Sequence, residues 1–320
     1  MDNVCHTLLG AALAQTGLKK RSPLGAATLL IAANLPDLDI ISLAWGGSTM
    51  FAFRRGWTHG VLALSIWPFI LAGAVVLVDR TVARRGARYG PLVGLAAIGV
   101  LSHILLDLLN TYGVRWLMPF SERWYYGDTL FILDMWVWLM LGVGVFVSVR
   151  RERRGTGDWR RPARAALALA AVYTVGMFTL GRLAAAQVRF ELRAAGVPVV
   201  RVLASPLPLT PVTRDVVVDE GDGYLVGRIR TGGNFVEEGH WPKQNPFDDD
   251  GDPAIALAAS TPAAAAFLRW ARYPTYLVDR RGGTTVVHFI DLRFARVPGA
   301  AFGTLTVPIS TAQLVLAPLP

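Results

Sequence analysis

The sequence predicts an α-helical integral membrane bundle of five to six spans, followed by a small, mostly β extracytoplasmic domain. Three observations lead to this fold class. The 320 residues are 53% hydrophobic, with a mean hydropathy of +0.40, which is high for a soluble domain. Several long apolar runs carry almost no charge. After Gln187 the texture changes to prolines and short β-branched runs.

Six apolar segments precede that change. The first, 4–18, is short, and the second, 24–45, is interrupted near its end by Asp37 and Asp39. The next four are 61–78, without charge, 91–106, with only His103, 130–149, with only Asp134, and 165–181, again uncharged. Each of these four is close to the ~20 residues needed to cross a hydrocarbon core of about 30 Å.

Charge sets the direction of the spans. Residues 184–320 hold 13 Lys+Arg and 13 Asp+Glu, so the whole net charge of +9 lies in residues 1–183. It falls in three clusters between spans: Lys19, Lys20 and Arg21; Arg80, Arg84, Arg85 and Arg88; and seven arginines from Arg150 to Arg164. Such loops are cytoplasmic by the positive-inside rule. The alternate loops, 46–60 and 110–129, carry only Arg54, Arg55, Arg115 and Arg123 and are therefore outside. The expected location is the inner (cytoplasmic) membrane, with both termini outside if 4–18 spans. Basic charge confined to interspan loops argues against nucleic acid as a partner and leaves the lipid bilayer as the first one.

A signal-peptide reading of residues 4–14, ending in Ala12-Leu13-Ala14, fails on its flanks. Asp2 precedes the apolar run, and the basic cluster follows it. Cys5 is the only cysteine, so no intrachain disulfide forms, and it reads as a buried apolar thiol.

The domain boundary is expected near residue 183, with a membrane-embedded metal-site domain over 1–183 and the β domain over 184–320. Strand candidates include Val216 to Val218, Thr284 to Val287 and Leu305 to Val307, separated by turns such as Gly221-Asp222-Gly223, Gly232-Gly233 and Gly282-Gly283. A helix is expected from Pro262 to Arg272, with Thr261 as its N-cap. The run from Asp248 to Asp252 lacks the glycine and glutamate positions of a calcium loop and reads as a solvated acidic loop. His240 and His288 read as isolated surface or core histidines.

Chemistry concentrates in three motifs whose ionisable residues lie in or beside apolar segments, where they are costly. His103 and Asp107 are four residues apart on one apolar helix and project from one face. In Asn34-Leu35-Pro36-Asp37-Leu38-Asp39 the proline disfavours a continuing helix, so a broken turn can aim both carboxylates at one point. Arg55-Gly56-Trp57-Thr58-His59 enters the next span from the same outer side, and His6 lies near the outer end of the first helix. Asp128 and Asp134 flank the fifth span and can orient a ligand histidine from behind.

Three histidines and three aspartates suit a divalent metal, Zn first, with Mn or Fe as alternatives and room for one to three ions. Neither a Ser-His-Asp arrangement, nor H-E-x-x-H, nor a phosphate loop is evident. Hydrolysis by metal-activated water is therefore the expected chemistry.

The motif order Cys5-His6-Thr7-Leu8-Leu9-Gly10, Asn34 to Asp39, Arg55 to His59 and Ser102 to Asp107 resembles the YdjM-like family of membrane-bound, inner-membrane metal-dependent hydrolases over residues 1 to about 150. The resemblance implies metal-site roles for His6, Asp37, Asp39, His59, His103 and Asp107. More remotely, the chain is similar to zinc-dependent phospholipases C, which implies a phosphoester substrate, either a small molecule or a lipid. On this reading Asp37, Asp39, His59 and Asp107 are also the catalytic groups. A metal-dependent phosphoesterase is thus the expected activity. A transporter using intramembrane Asp and His, and an inert anchor presenting the β domain, are the competing readings.

Overall fold

The computed structural model describes residues 1–45, 47–248, 251–281 and 284–310. It divides into two compact units: Met1–Ile41 with Phe53–Thr179 and Pro206–Pro211, and Ser42–Ala52 with Leu180–Ser205 and Val212 onward.

The first unit is helical. Helix α1, Asn3–Gln15, is started by Asp2, whose carboxylate accepts from the amides of Val4 and Cys5. Helix α2, Gly25–Ala32, gives way at the Leu35-Pro36 step to a 3₁₀ helix, Leu35–Trp45, bent from it by 42°. The short α3, Gly47–Phe53, follows in the chain and belongs, up to Ala52, to the second unit. Then come α4, Val61–Val78, α5, Tyr89–Leu108, and α6, Met135–Arg154. Helix α7, Arg161–Ala194, has 34 residues, of which those up to Thr179 belong to this unit.

Among the described residues, three helices are long and apolar enough to cross a membrane, namely Val61–Ala83, Tyr89–Leu108 and Arg161–Ala194, and the bent pair Gly25–Ala32 and Leu35–Trp45 makes up to four. The expected spans at 4–18 and 130–149 come out shorter. Helix α1 has 13 residues, about 20 Å at 1.5 Å per residue. Helix α6 begins only at Met135, where Asp134 caps it, and ends in a basic turn. Its apolar stretch, 135–149, is therefore about 22 Å long.

Leu29, Ala32, Leu92, Ala96 and Val100 are fully buried where α2, α4 and α5 meet. Gly99 sets the closest approach, because a Cβ there would lie 2.4 Å from the Ala32 Cβ. Only a residue without a side chain lets α5 rest on the end of α2, and this brings His103 against Ala33.

Hydrogen bonds gather the basic loops at one end of this unit. Arg88 donates to the Arg21 carbonyl at 2.6 Å and, through its amide, to Ser22 Oγ at 2.9 Å. Arg164 donates to the Thr16 carbonyl at 3.1 Å, and Lys19 pairs with Glu152. The start of α1, the end of α5 and the loop before α4 lie at the other end. The carboxylates and histidines of the motifs belong to these segments.

The second unit holds two small antiparallel sheets. Strands β1, Arg201–Pro206, β2, Thr213–Asp219, β3, Gly223–Arg230, and β4, Phe235–Pro242, form a meander in chain order. Two short helices, α8, Pro253–Ala259, and α9, Pro262–Trp270, precede β5, Pro274–Arg281, β6, Thr284–Asp291, and β7, Thr304–Ile309. Thr261 caps α9 as expected, accepting from the Ala264 amide. The late part of α7 buries Ala184 and Val188 against Val216, Val218 and Ile229 of the first sheet. Phe51 packs on Phe267 and Trp270, with ring centroids 5.2 and 4.9 Å apart.

His240 is exposed and pairs with Glu220 at 3.0 Å, and His288 meets Thr306 Oγ1 at 3.1 Å, so both are surface histidines with local partners. Asp252 caps α8 and pairs with Arg280 at 2.6 Å. Asp249, Asp250 and the Gly282-Gly283 turn lie outside the described residues.

Candidate metal centre

Four elements deliver the site. Helix α5 supplies His103 and Asp107 from one face, with His103 Nε2 3.5 Å from Asp107 Oδ2. The 3₁₀ helix after Pro36 supplies Asp37 and Asp39, the loop 54–60 supplies His59, and α1 supplies His6. All six are buried, and His6, His59, His103 and Asp107 are fully so. Ligand atoms of Asp37, His59, His103 and Asp107 all lie within 4.8 Å of one another, so these four could hold a metal ion.

The loop bearing His59 is held by its surroundings rather than by regular structure. The Arg55 amide donates to Asp39 Oδ2 at 2.8 Å, the Arg55 carbonyl accepts from the Arg115 amide at 2.8 Å, and the Val61 amide donates to the Trp116 carbonyl at 2.7 Å. Gly60 is forced by close approach, since a Cβ there would lie 2.4 Å from the Met118 carbonyl oxygen. The loop thus has little freedom to move His59.

Both central histidines present Nε2 inward and are anchored through Nδ1. His103 Nδ1 lies 2.7 Å from the Ala33 carbonyl, which can only accept, so the network assigns the proton to Nδ1. His59 Nδ1 lies 2.9 Å from Thr58 Oγ1, and that hydroxyl donates to Asp39 Oδ2 at 2.9 Å. The same carboxylate oxygen is 3.3 Å from His59 Nδ1 itself. His59 is therefore also an Nδ1–H tautomer when neutral, and Asp39 stands behind it as the carboxylate that fixes ring orientation in metal sites.

The inward atoms consequently carry lone pairs and converge. Asp107 Oδ2 is 3.2 Å from His59 Nε2, and Asp37 Oδ1 is 3.9 Å from both Nε2 atoms. Neither oxygen of Asp37 has a hydrogen-bond partner, nor do Asp107 Oδ2, Asp39 Oδ1 or either ring nitrogen of His6. Buried acceptors left in this state are costly. A divalent cation satisfies several of them at once, so the donor set fits a metal.

His6 borders this group, with Nε2 3.3 Å from Asp107 Oδ1 and its ring stacked on His103 at 3.7 Å. Positive charge already meets the carboxylates from one side. Arg55 donates to Asp107 Oδ1 at 2.9 Å and to Asn110 Oδ1 at 3.0 Å, its guanidinium lying over the Tyr112 ring, and the amino group of Met1 also contacts Asp107. Arg54, partly exposed, stands 3.8 and 3.9 Å from Asp39 and Asp37. Burial would push the His59 imidazole below its ordinary value, but hydrogen bonds and charge from Asp107 and Asp39 outweigh it and hold the imidazole above that value.

The structure brings His6, Asp37, Asp39, His59, His103 and Asp107 together. Asp134 instead caps α6, accepting from the Trp136 and Val137 amides and from the Tyr173 hydroxyl at 3.2 Å. Asp128 sits half-buried in irregular backbone with φ of 50° and is not among the four convergent ligands. Sequence reasoning did not assign roles to Arg55, Thr58 and Asn110. The first two stood inside the quoted Arg55 to His59 motif. Asn110 follows Asp107 by three residues but lies beyond the end of α5, where helical spacing gives no signal.

A family model described as YdjM inner membrane protein matches residues 1–184. The uncharacterized protein YfhP of Bacillus subtilis (strain 168) is 25% identical over 132 residues, covering 39% of this chain and 39% of that protein. The match therefore spans well under half the length of that curated relative. No solved structure matches the chain.

Proposed function

The chain belongs to the YdjM inner membrane protein family, and from that premise we propose that it is an integral-membrane, metal-dependent hydrolase of phosphoesters, with lipid phosphoesters among its substrates. One observation carries this reading. Asp37 is a buried carboxylate with no hydrogen-bond partner on either oxygen, and it faces two imidazole nitrogens whose lone pairs point the same way. A site built to be apolar and static would not hold these groups together at such cost.

Asp37, His59, His103 and Asp107 would hold the metal, Zn before Mn or Fe, with His6 and Asp39 completing a set that allows more than one ion. A bound divalent ion supplies acidity to water and Lewis-acid polarisation of an ester oxygen. The protein's own groups do the rest. Thr58 and Asp39 fix the His59 ring, and the Ala33 carbonyl fixes that of His103. A carboxylate of the cluster takes the proton released by the attacking water. Arg54, partly exposed beside Asp37 and Asp39, supplies positive charge for a phosphoester anion.

The positive-inside rule turns the basic loops to the cytoplasm and the metal centre outward, in a bundle of five to six crossings if α1 and α6 traverse the bilayer with the others. The reading is tested on detergent-purified protein by elemental analysis and by phosphate release from aryl and lipid phosphoesters. Stoichiometric Zn, Mn or Fe in the wild type, lost with the activity in His103→Ala, is the expected result. Wild-type protein without bound metal would overturn it.

A further inference from the structure

At the basic end of the helical unit, Arg21, Arg160 and Arg164 line one pocket of about 450 Å³ together with Thr16, Gly17 and Leu18, none of them a residue of the metal centre. We propose that this pocket binds the phosphate of an anionic phospholipid from the leaflet that faces the basic loops.

The three guanidinium groups come from two distant segments, and those of Arg160 and Arg164 have defined partners. Arg164 donates to the Thr16 carbonyl at 3.1 Å, and the Arg160 guanidinium lies over the Trp159 ring at 5.3 Å. Arg160 also closes on Gly17, where a Cβ would come within 3.1 Å of its Nε, and Gly17 itself has φ of 111°. Among the described residues none of the three pairs with a carboxylate. The two nearest acids in the sequence are already engaged, Glu152 with Lys19 and Asp158 with Arg161 at 3.5 Å. The pocket therefore has positive charge without an internal counter-ion, and guanidinium groups suit phosphate oxygens.

Two further observations favour a lipid over a soluble anion. Trp159 is half-buried, with Lys19, Lys20 and Arg160 around its ring, an arrangement suited to headgroup depth. Within about two turns of Arg164, α7 exposes Leu169 and Val172, at 55% and 69% exposure, which leaves apolar surface for acyl chains on the same helix. Basic pockets between transmembrane helices at this depth recognise anionic headgroups.

The full-length chain in detergent is titrated with dioctanoyl phosphatidylglycerol and dioctanoyl phosphatidylcholine, with binding read by native mass spectrometry. The adduct mass separates bound lipid from hydrolysis elsewhere. Phosphatidylglycerol should bind at least tenfold more tightly, and equimolar inorganic phosphate should not displace it. Each single substitution, Arg21→Gln, Arg160→Gln or Arg164→Gln, should weaken it roughly fivefold, the weight of one basic side chain at an anionic surface. Arg153→Gln, outside the pocket, should leave it unchanged. Because Arg21 is exposed, Arg21→Gln serves even if a multiple variant fails to fold. Equal binding of the two lipids, or a preference untouched by all three substitutions, would overturn the proposal. Displacement by equimolar inorganic phosphate would overturn it in favour of a soluble anion.

Discussion

His59 and His103 face each other through Nε2 at 3.1 Å, while the far nitrogen of each ring is anchored, one by Thr58 and Asp39, the other by the Ala33 carbonyl. Neutral rings in these tautomers have no proton to share across that gap. Two lone pairs this close, with Asp107 Oδ2 beside them, repel unless positive charge stands between them. A proton on His59 or a cation among these groups relieves that repulsion, so the pair could hold a metal, and the anchoring groups decide how well.

Asp39→Asn tests that anchoring. The amide keeps the shape and can still hold Thr58, but it removes the negative charge behind His59. Metal affinity should fall about 10–100-fold, the usual weight of an outer carboxylate, with the fold intact. His59→Ala should abolish stoichiometric binding. Competition with a chromogenic chelator separates the two outcomes, and an Asp39→Asn affinity equal to wild type would remove Asp39 from the orienting role.

Protons and metal compete for His59. Its ordinary value is 6.5, and in the folded chain it is held above that by Asp107 and Asp39 acting against burial. In metal-free protein the protonated ring therefore adds stability, fully present below about 6.5 and lost as pH rises through the folded value. Metal binding runs the other way, because it needs the neutral ring. Affinity should rise with pH until the folded value of His59 is passed, near tenfold per pH unit for each proton displaced. Isothermal titration at several pH values reads the slope, and the residual binding of His59→Gln should show a slope smaller by one proton.

The parts of this site that were legible in the sequence are those governed by local spacing. His103 and Asp107 share a face because four residues nearly complete a helical turn, and Pro36 announced the break that aims Asp37 and Asp39. What was not legible depends on contacts between distant segments. Arg55 could be read only as an outer loop charge. In the structure it is buried because its guanidinium reaches Asp107 and Asn110 and its carbonyl is held by Arg115. The start of α6 was missed for a similar reason. The apolar run begins at Leu130, but Leu130 and Thr129 are drawn into hydrogen bonds with the Leu109 carbonyl, and the helix waits for Asp134 to cap it. Apolar composition alone placed the start of that span five residues before the helix begins.

Sidedness is the remaining prediction, and it rests on charge rather than on contacts. Hydrogen bonds join residues 16–22 to Arg88 and Arg164 at one end of the helical unit, while the loop holding His59 and the 109–134 segment belong to the other. If positive charge stays in the cytoplasm, Arg123→Cys in a Cys5→Ser background should react with a membrane-impermeant maleimide in intact spheroplasts. Lys20→Cys and Arg85→Cys should react only after permeabilisation. Arg123 is exposed, so its labelling does not depend on opening the site. The reverse pattern would turn the metal centre toward the cytoplasm and make cytosolic phosphoesters its substrates. Labelling of all three from one side would break the link between the basic end and the opposite face of the bundle.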